Sequence, residues 1–223
     1  MKGTVCLQGG GEFSAACVRM DADLVGRADG GRVVVSALAG ARGQDYATAT
    51  ANGVRHFTAA GAAEIVAAPD VREDPDAAVA VLRTARLLVL PGGSPARLLS
   101  ALRSSGAGQA VADLLEDGGV VMGASAGAMV LCDWTVLPER GTQVVRGLGL
   151  VPDTVVVPHW SGNHQDWLTA IDAAVPPRVT VLGLSEESGV VVDHAGWTAV
   201  GRSPSFLPRQ GVELAVGSVL GAA

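Results

Sequence analysis

The chain has 223 residues, 48% of them apolar and 17% charged, with a formal net charge of −6 at neutral pH. This length and apolar content favour one domain over residues 1–223 with a sizeable buried core. The acidic balance argues against a nucleic acid or an anionic membrane as a partner.

The cysteines and the N-terminal residues indicate in which cellular compartment the protein is expected. The three cysteines, Cys6, Cys17 and Cys132, are odd in number and lack the Cys-x-x-Cys spacing of zinc sites, so reduced and mostly buried thiols are expected. The apolar run at the N-terminus is too short for a signal peptide, and no run approaches the length of a membrane span. We therefore expect a cytoplasmic protein.

The first half of the chain alternates short apolar runs with longer amphipathic segments, which is typical of strands followed by crossover helices. Strands are predicted at residues 4–8, 32–37, 63–67 and 86–90. Helices are predicted at residues 14–24 (weakly), 45–60, 74–84, 96–103 and 110–116. Asp74 is expected to cap the third of these helices with Pro75 in its first turn, and Gly61 to end the second.

The second half begins with a strand that enters at residue 120, after which residues 134–146 are interpreted as irregular. A helix is predicted at residues 163–174, and strands at residues 154–157, 179–184, 190–193, 197–200 and 212–216. The last three strands are close in sequence and predict a short antiparallel meander at the C-terminus. The alternation as a whole predicts an α/β three-layer sandwich, in which helices cover both faces of a mostly parallel sheet.

Residues 120–129 carry the strongest motif of the chain. An apolar run leads into Gly-x-Ser-x-Gly with Ser125 at its centre, and a small-residue helical segment follows. This is the nucleophile-elbow pattern, in which a serine stands on a strained turn between strand and helix. Gly123 and Gly127 fit it because a larger side chain two positions from the serine would collide across the turn. The alternative is a plain Gly/Ala-rich turn in a chain that has 30 glycines.

A serine hydroxyl needs a base within hydrogen-bond reach, and in an α/β sheet that base should follow another strand. His159 comes directly after the predicted strand at residues 154–157, and His164 follows it closely. His56 lies in the middle of a predicted helix, as a surface or packing residue, and His194 lies in a hairpin turn. His159 is therefore the preferred base, and a buried histidine satisfied by backbone is the alternative.

The base in turn needs an orienting carboxylate at a further strand end. Glu186 and Glu187 both follow the predicted strand at residues 179–184, and position alone does not separate them. Asp193 and Asp133 are further candidates. Two adjacent glutamates are also what a solvated turn contains, so a purely structural interpretation stays open at this point.

Two glycine-rich turns complete the pattern. Pro91-Gly92-Gly93 ends a neighbouring strand and could supply one N–H of an oxyanion hole, with Ala126 of the elbow as the second donor. A plain Pro-Gly turn is the alternative. Gly9-Gly10-Gly11-Glu12 follows the first strand, either as a simple turn or as a place where backbone approaches a ligand.

In this order, the Pro-Gly-Gly turn, the Gly-Ala-Ser-Ala-Gly-Ala elbow, Pro158-His159 and Leu184-Ser185-Glu186 resemble the serine peptidase family of aspartyl dipeptidase (dipeptidase E) and cyanophycinase. The resemblance covers most of the chain. It implies a class I glutamine-amidotransferase-like (flavodoxin-like) fold, with serine where those amidotransferases have cysteine. It also implies a hydrolase that needs no metal or cofactor.

Carried over residue by residue, the resemblance makes Ser125 the nucleophile, His159 the base and Glu186 the acid, which separates Glu186 from Glu187. It makes Gly92, Gly93 and Ala126 the oxyanion donors. The candidate substrate contacts are Gly10, Gly11, Ser94 and Trp160.

The chain departs from cyanophycinase-like members after the histidine, where residues 160–167 contain no arginine. An acidic substrate is therefore not implied unless Arg97, Arg140 or Arg146 replaces the missing cations.

Three hypotheses follow for the function. The first is a serine hydrolase that cleaves a peptide or isopeptide bond in a small peptide through an acyl-enzyme. The second is an amidotransferase-like or esterase activity on the same fold; glutaminase chemistry would need a cysteine, and Cys132 lies 132 − 125 = 7 positions past the elbow serine. The third is a binding or regulatory protein without turnover. A homodimer and a monomer are equally compatible with the composition.

Overall fold

A computed structural model describes residues 2–220, which form fourteen strands, seven α-helices and two short 3-10 turns. The strands are β1 (Thr4–Gln8), β2 (Val33–Val35), β3 (Ile65–Ala67), β4 (Leu87–Leu90), β5 (Val120–Ala124), β6 (Cys132–Leu137), β7 (Gln143–Arg146), β8 (Val151–Val157), β9 (Thr180–Leu184), β10 (Ser188–Asp193), β11 (Gly196–Gly201), β12 (Ser205–Leu207), β13 (Val212–Leu214) and β14 (Val219–Leu220). The helices are α1 (Val18–Arg27), α2 (Gln44–Ala59), α3 (Pro75–Leu82), α4 (Pro95–Ser104), α5 (Ala107–Glu116), α6 (Ala126–Leu131) and α7 (Gln165–Ala174).

The larger sheet has eight strands in the order β14-β11-β10-β1-β5-β4-β2-β3. The five strands from β1 to β3 in this order are parallel, whereas β10, β11 and β14 pair antiparallel. Parallel strands bring their carboxyl ends to one edge of the sheet. The turns after β1, β4 and β5 therefore meet at that edge.

Both faces of the parallel strands are buried, which explains why their sequences are continuous apolar runs. Val33 and Val35 of β2 face one side, where they pack with Leu24 of α1 and Phe57 of α2. Val34 faces the opposite side, which α3, α4, α5 and α6 cover. The predicted layers, helices on either side of a mostly parallel sheet, are thus present.

A second sheet of six strands has the order β13-β12-β9-β8-β6-β7. Its central strands β6, β8 and β9 are parallel, with the outer pairs antiparallel. The ends of β8 and β9 lie beside the glycine turn after β1, since the N–H of His159 donates to the carbonyl of Gly9 at 2.8 Å. This sheet therefore brings two further strand ends to the edge that carries Ser125.

The prediction that residues 134–146 are irregular is wrong. This segment forms an antiparallel hairpin of β6 and β7, with Trp134 opposite Arg146. Gly141 and Thr142 take positive φ in the turn, and the Arg146 guanidinium lies 3.9 Å from the centre of a Trp134 ring. Because the hairpin is half exposed and its contacts are made across the turn, its strands lack the continuous apolar run that marks the buried ones.

The antiparallel C-terminal meander is present, although its third strand differs from the predicted one. The hairpin of β10 and β11 continues into β14, whereas residues 212–214 pair with β12 in the second sheet. Leu214 is buried there, and Gly211 and Gly217 turn the chain on either side with positive φ. Sequence proximity alone could not show that this strand belongs to the other sheet.

The helix boundaries follow local capping chemistry. Asp74 caps α3 as predicted, because its side chain accepts the N–H of Ala77 at 3.0 Å and Pro75 follows. Ser94 caps α4 in the same way through the N–H of Arg97. Within residues 2–220, no helix combines the length and the apolar character that crossing a membrane requires.

We expect Gly127→Ala to lower the free energy of unfolding by about 1–3 kcal/mol, the usual cost of overpacking a core. A Cβ at Gly127 would lie 2.1 Å from the carbonyl oxygen of Leu90 in β4. Gly26→Ala in α1 is the matched control, since a Cβ there meets nothing within 4 Å and should raise stability by about 0.5 kcal/mol. Urea unfolding followed by circular dichroism measures both changes, and equal stability of the two variants would contradict this account of the elbow.

Candidate active site

Ser125 stands at the sharp turn between β5 and α6. Its backbone has φ 48° and ψ −107°, a conformation that is strained for a residue with a side chain. Its N–H donates to the carbonyl of Gln8 at 2.8 Å, which ties the turn to β1. A Cβ at Gly123 would lie 2.5 Å from the carbonyl carbon of Gly127, so the two small residues are required by space as the motif predicts.

The structure brings His159 and Glu186 to Ser125 in one line of hydrogen bonds. Nε2 of His159 lies 2.8 Å from Oγ of Ser125, and Nδ1 lies 3.0 Å from Oε1 of Glu186. A carboxylate only accepts, so Nδ1 carries the proton and Nε2 is left to accept from the serine hydroxyl. The side chains of His159 and Glu186 are 47% and 64% exposed, so substrate can reach this line directly.

Glu187 has different partners from its neighbour. Its carboxylate accepts from the hydroxyl of Ser14 at 3.0 Å and pairs with the guanidinium of Arg202 at 3.1 Å. Its backbone has φ 57°, which turns its side chain away from Glu186 along the chain. Position in the sequence could not separate the two glutamates, whereas the contacts assign only Glu186 to the imidazole.

The glycine turn after β1 is hydrogen-bonded to the backbone of His159 and of Glu187. The carbonyls of Gly9 and Gly10 accept the N–H groups of His159 and Glu187, both at 2.8 Å. A Cβ at Gly10 would lie 2.3 Å from Cε1 of His159, and one at Gly11 would lie 3.1 Å from Cγ of Glu187. Gly10 and Gly11 were predicted as substrate contacts, and the structure places them against the imidazole and the neighbouring glutamate.

The turn after β4 also lies beside the serine, since a Cβ at Gly92 would be 3.1 Å from Cβ of Ser125. The N–H of Gly92 is not free, because it donates to Oε1 of Glu12 at 2.7 Å. Gly93 has φ 138°, and a Cβ there would lie 2.6 Å from the carbonyl oxygen of Ala39. Ala126 follows the serine at the start of α6. In the sequence Glu12 only ends the glycine turn, and no pattern there indicates a contact with Gly92.

Of the other two candidate substrate contacts, Trp160 lines a cavity with His159, whereas Ser94 stands at the start of α4. The indole of Trp160 covers Gly183 and stacks on the ring of His164, with the ring centres 5.3 Å apart. Burial, and next the nearby His159, lower the pKa of His164. Ser94 caps α4 and bonds to Glu139 through its hydroxyl. The histidine in contact with Ser125 is therefore His159, because the ring of His164 packs against Trp160 instead.

The remaining candidates lie away from the serine. His56 is buried and bonds to Asp21 at 2.7 Å, and His194 is exposed in the turn between β10 and β11. Asp193 pairs with Arg27, and Asp133 pairs with Arg146. Arg97 and Arg140 line a separate surface cavity of about 330 Å³ together with Arg42 and Arg72.

An open cavity of about 710 Å³ adjoins the His159–Glu186 pair. Its lining residues are His159, Trp160, Ser161, Ser185, Glu186, Glu187, Arg202 and Ser203. The guanidinium of Arg202 and the side chain of Ser203 come from the segment after β11, which contains no motif. Nothing in the sequence could have marked them as neighbours of the histidine.

The cysteines offer no reactive thiolate near the serine. Cys6, Cys17 and Cys132 are all buried, and burial raises the pKa of each thiol. Sγ of Cys132 donates to the carbonyl of Ala128 inside the elbow helix. Among residues 2–220, no three His, Cys, Asp or Glu side chains are grouped as metal ligands would be.

Comparisons with known proteins add the following. The model of peptidase family S51 matches residues 36–200, which is most of the chain, while no curated protein matches the sequence. The structure of a peptidase from an acI-B1 Actinobacterium has a TM-score of 0.84 at 22% identity, covering 99% of this chain and 97% of that one. A Listeria monocytogenes EGD-e protein named as a peptidase E has a TM-score of 0.69 at 14% identity, covering 90% of this chain and 99% of that one. At these identities the likeness concerns the fold, and it confirms the predicted α/β class.

Proposed function

Because the chain belongs to peptidase family S51 and is therefore a serine-type peptidase, we propose that it cleaves a peptide or isopeptide bond in a small peptide through Ser125, His159 and Glu186. The observation that carries this proposal is the unbroken line of hydrogen bonds from Oγ of Ser125 through both imidazole nitrogens to Glu186. The distances along it are those that a nucleophile, a base and an orienting acid need for hydrogen bonding.

In the proposed reaction, one proton passes through His159 during acylation and one during deacylation. Oγ of Ser125 attacks the substrate carbonyl while Nε2 of His159 takes the hydroxyl proton, and Glu186 stabilises the resulting imidazolium. The imidazolium then gives that proton to the leaving amine as the C–N bond breaks, which leaves an acyl-enzyme. Water repeats the sequence on the acyl-enzyme and restores the serine. Base catalysis of this kind contributes about 10²- to 10⁴-fold to a rate.

The negative charge that develops on the carbonyl oxygen needs preorganised N–H donors. Removing one such donor typically lowers kcat by about 10²- to 10³-fold. In our proposal the N–H of Ala126 is one donor and the N–H of Gly92, once released from Glu12, is the other. Gly92 is preferred to Gly93 because it lies beside Ser125, whereas Gly93 lies against Ala39. Ala126 and Gly92 both lie beside Ser125, and neither carries a bulky side chain that would crowd a tetrahedral intermediate.

A small peptide is the proposed substrate because the histidine and glutamate are exposed beside an open cavity. The thiol of Cys132, the first residue of β6, is buried and donates to the carbonyl of Ala128 in α6. This disfavours a glutaminase reaction, which would need an accessible thiolate. A protein that only binds its ligand would have no need to keep the strained serine and the aligned imidazole.

The experiment is to incubate the purified protein with a dipeptide library and to measure amine release, with and without iodoacetamide. We expect hydrolysis of a subset of dipeptides, unchanged by the alkylating agent because the thiols are buried. Release of ammonia from glutamine that iodoacetamide abolishes would instead indicate an amidotransferase-like reaction. Binding of dipeptides without turnover would indicate a silent member of the family and overturn the proposal.

A further inference from the structure

A carboxylate occupies the N–H that the proposed oxyanion hole would use. Glu12 follows the glycine turn after β1 and is half-buried, and its Oε1 accepts the N–H of Gly92 at 2.7 Å. A point at the Cβ position of Gly92 would be 2.8 Å from this oxygen and 3.1 Å from Cβ of Ser125. The carboxylate therefore lies beside the nucleophile, 80 positions away in sequence from the glycine that it contacts.

The charge of Glu12 has no cationic partner within residues 2–220. The ion pairs of this part of the chain involve other carboxylates, including Glu186 with His159 and Glu187 with Arg202. The pKa of Asp21 is raised chiefly by burial, and the charge of Glu12 adds to that rise. Glu12 thus presents an uncompensated negative charge next to the serine.

This arrangement conflicts with acyl transfer unless a cation arrives. A developing oxyanion and a carboxylate cannot share the N–H of Gly92, because like charges at such a distance repel. The substrate itself can supply the cation. In a peptide cleaved after its first residue, the α-ammonium group is two bonds from the carbonyl carbon that Ser125 attacks.

We propose that Glu12 is a specificity-determining residue that receives the cationic α-amino group of a substrate cleaved after its first residue. Pairing with the ammonium group draws the carboxylate away from Gly92, and the freed N–H then binds the oxyanion. The inference rests on the proposed function, because it assumes that Ser125 attacks a carbonyl at this position. It goes beyond that function by excluding peptides whose amino end is blocked.

The test compares the best dipeptide of the screen with its N-acetyl derivative. In the wild-type protein we expect kcat/KM to be about 100-fold higher for the free amine. Glu12→Gln should lower kcat/KM for the free amine by about 10- to 100-fold and thereby remove most of the preference. Glu12→Asp keeps the charge on a shorter side chain and should retain part of the preference. Glu64→Gln removes an exposed carboxylate that pairs with Arg32 just before β3, away from Ser125, and should leave the ratio of the two substrates as it is.

The glutamine variant also separates this role from a structural one. Its amide oxygen can still accept the N–H of Gly92, so a residue that merely holds the turn would tolerate the change, and an unaltered ratio would overturn the inference. Labelling of Ser125 by a fluorophosphonate separates a failure of the Glu12 proposal from a failure of the proposed function. Equal cleavage of free and acetylated substrate by a wild-type protein that labels at Ser125 would sink the inference alone, whereas absent labelling would sink the proposed function and the inference with it.

Discussion

Replacing Ser125 with alanine is expected to reduce kcat/KM for dipeptide hydrolysis by about 10⁴- to 10⁶-fold. The variant lacks the hydroxyl oxygen that lies 2.8 Å from Nε2 of His159 and that would form the acyl-enzyme. The fold should persist, because alanine fits the space of serine and the backbone bonds of the turn remain. Single-turnover and steady-state assays with the best dipeptide of the screen measure the loss.

Thermal unfolding of Ser125→Ala is the control for this result. We expect a stability within about 1 kcal/mol of the wild type, since one partly exposed hydroxyl contributes little to folding. Full hydrolytic activity in a folded Ser125→Ala protein would refute the mechanism, because within residues 2–220 the imidazole bonds to no other hydroxyl or thiol. An inactive variant that is also unfolded would require Ser125→Gly, for which the positive φ of 48° is unstrained.

Glu186→Gln is expected to lower kcat by about 10²- to 10⁴-fold with little change in KM. A glutamine amide can turn its NH₂ group towards Nδ1 and stabilise the tautomer in which Nε2 carries the proton, so the ring could no longer accept from Ser125. It also loses the charge that stabilises the imidazolium. The lower part of the range applies if solvent screens the pair strongly, since Glu186 is 64% exposed.

Glu187→Gln is the matched control, because it makes the same chemical change one residue along the chain. The side chain of Glu187 is 26% exposed and contacts Arg202 and Ser14 rather than the imidazole. We therefore expect a smaller loss of kcat in Glu187→Gln than in Glu186→Gln, with any effect on KM arising from the cavity that Glu187 lines. A larger loss in Glu187→Gln than in Glu186→Gln would show that the acid is assigned to the wrong glutamate.

The elbow and the strand ends could be predicted because each depends on local sequence. Gly123 is required by its contact with Gly127 four residues along the chain, which the motif contains, and a continuous apolar run marks each buried strand. The contact of Gly127 with Leu90 of β4 adds a constraint that the motif does not show. His159 and Glu186 stand directly after such runs, so their convergence follows from the rule that strand ends meet at one edge. Their mutual distances are a result of the structure and could not be read from spacing.

What could not be predicted depends on contacts between distant parts of the chain. The hairpin of β6 and β7 is held by cross-strand pairs such as Trp134 with Arg146, which have no local signature. The contact of Glu12 with Gly92 joins two turns from different strands, and a glutamate after glycines resembles any solvated turn. For that reason the oxyanion role of Gly92 stays a prediction that depends on the displacement of Glu12.

Fluorophosphonate labelling, with the site located by mass spectrometry, tests the central claim most directly because it needs no knowledge of the substrate. We expect covalent modification of Ser125 in the wild-type protein and no labelling at residue 125 in Ser125→Ala. In His159→Ala we expect the labelling rate to fall by about 10²-fold or more, since the base that activates the hydroxyl is gone. A folded wild-type protein that leaves Ser125 unmodified, or one whose labelling is indifferent to the loss of His159, would contradict the claim that Ser125 is an activated nucleophile.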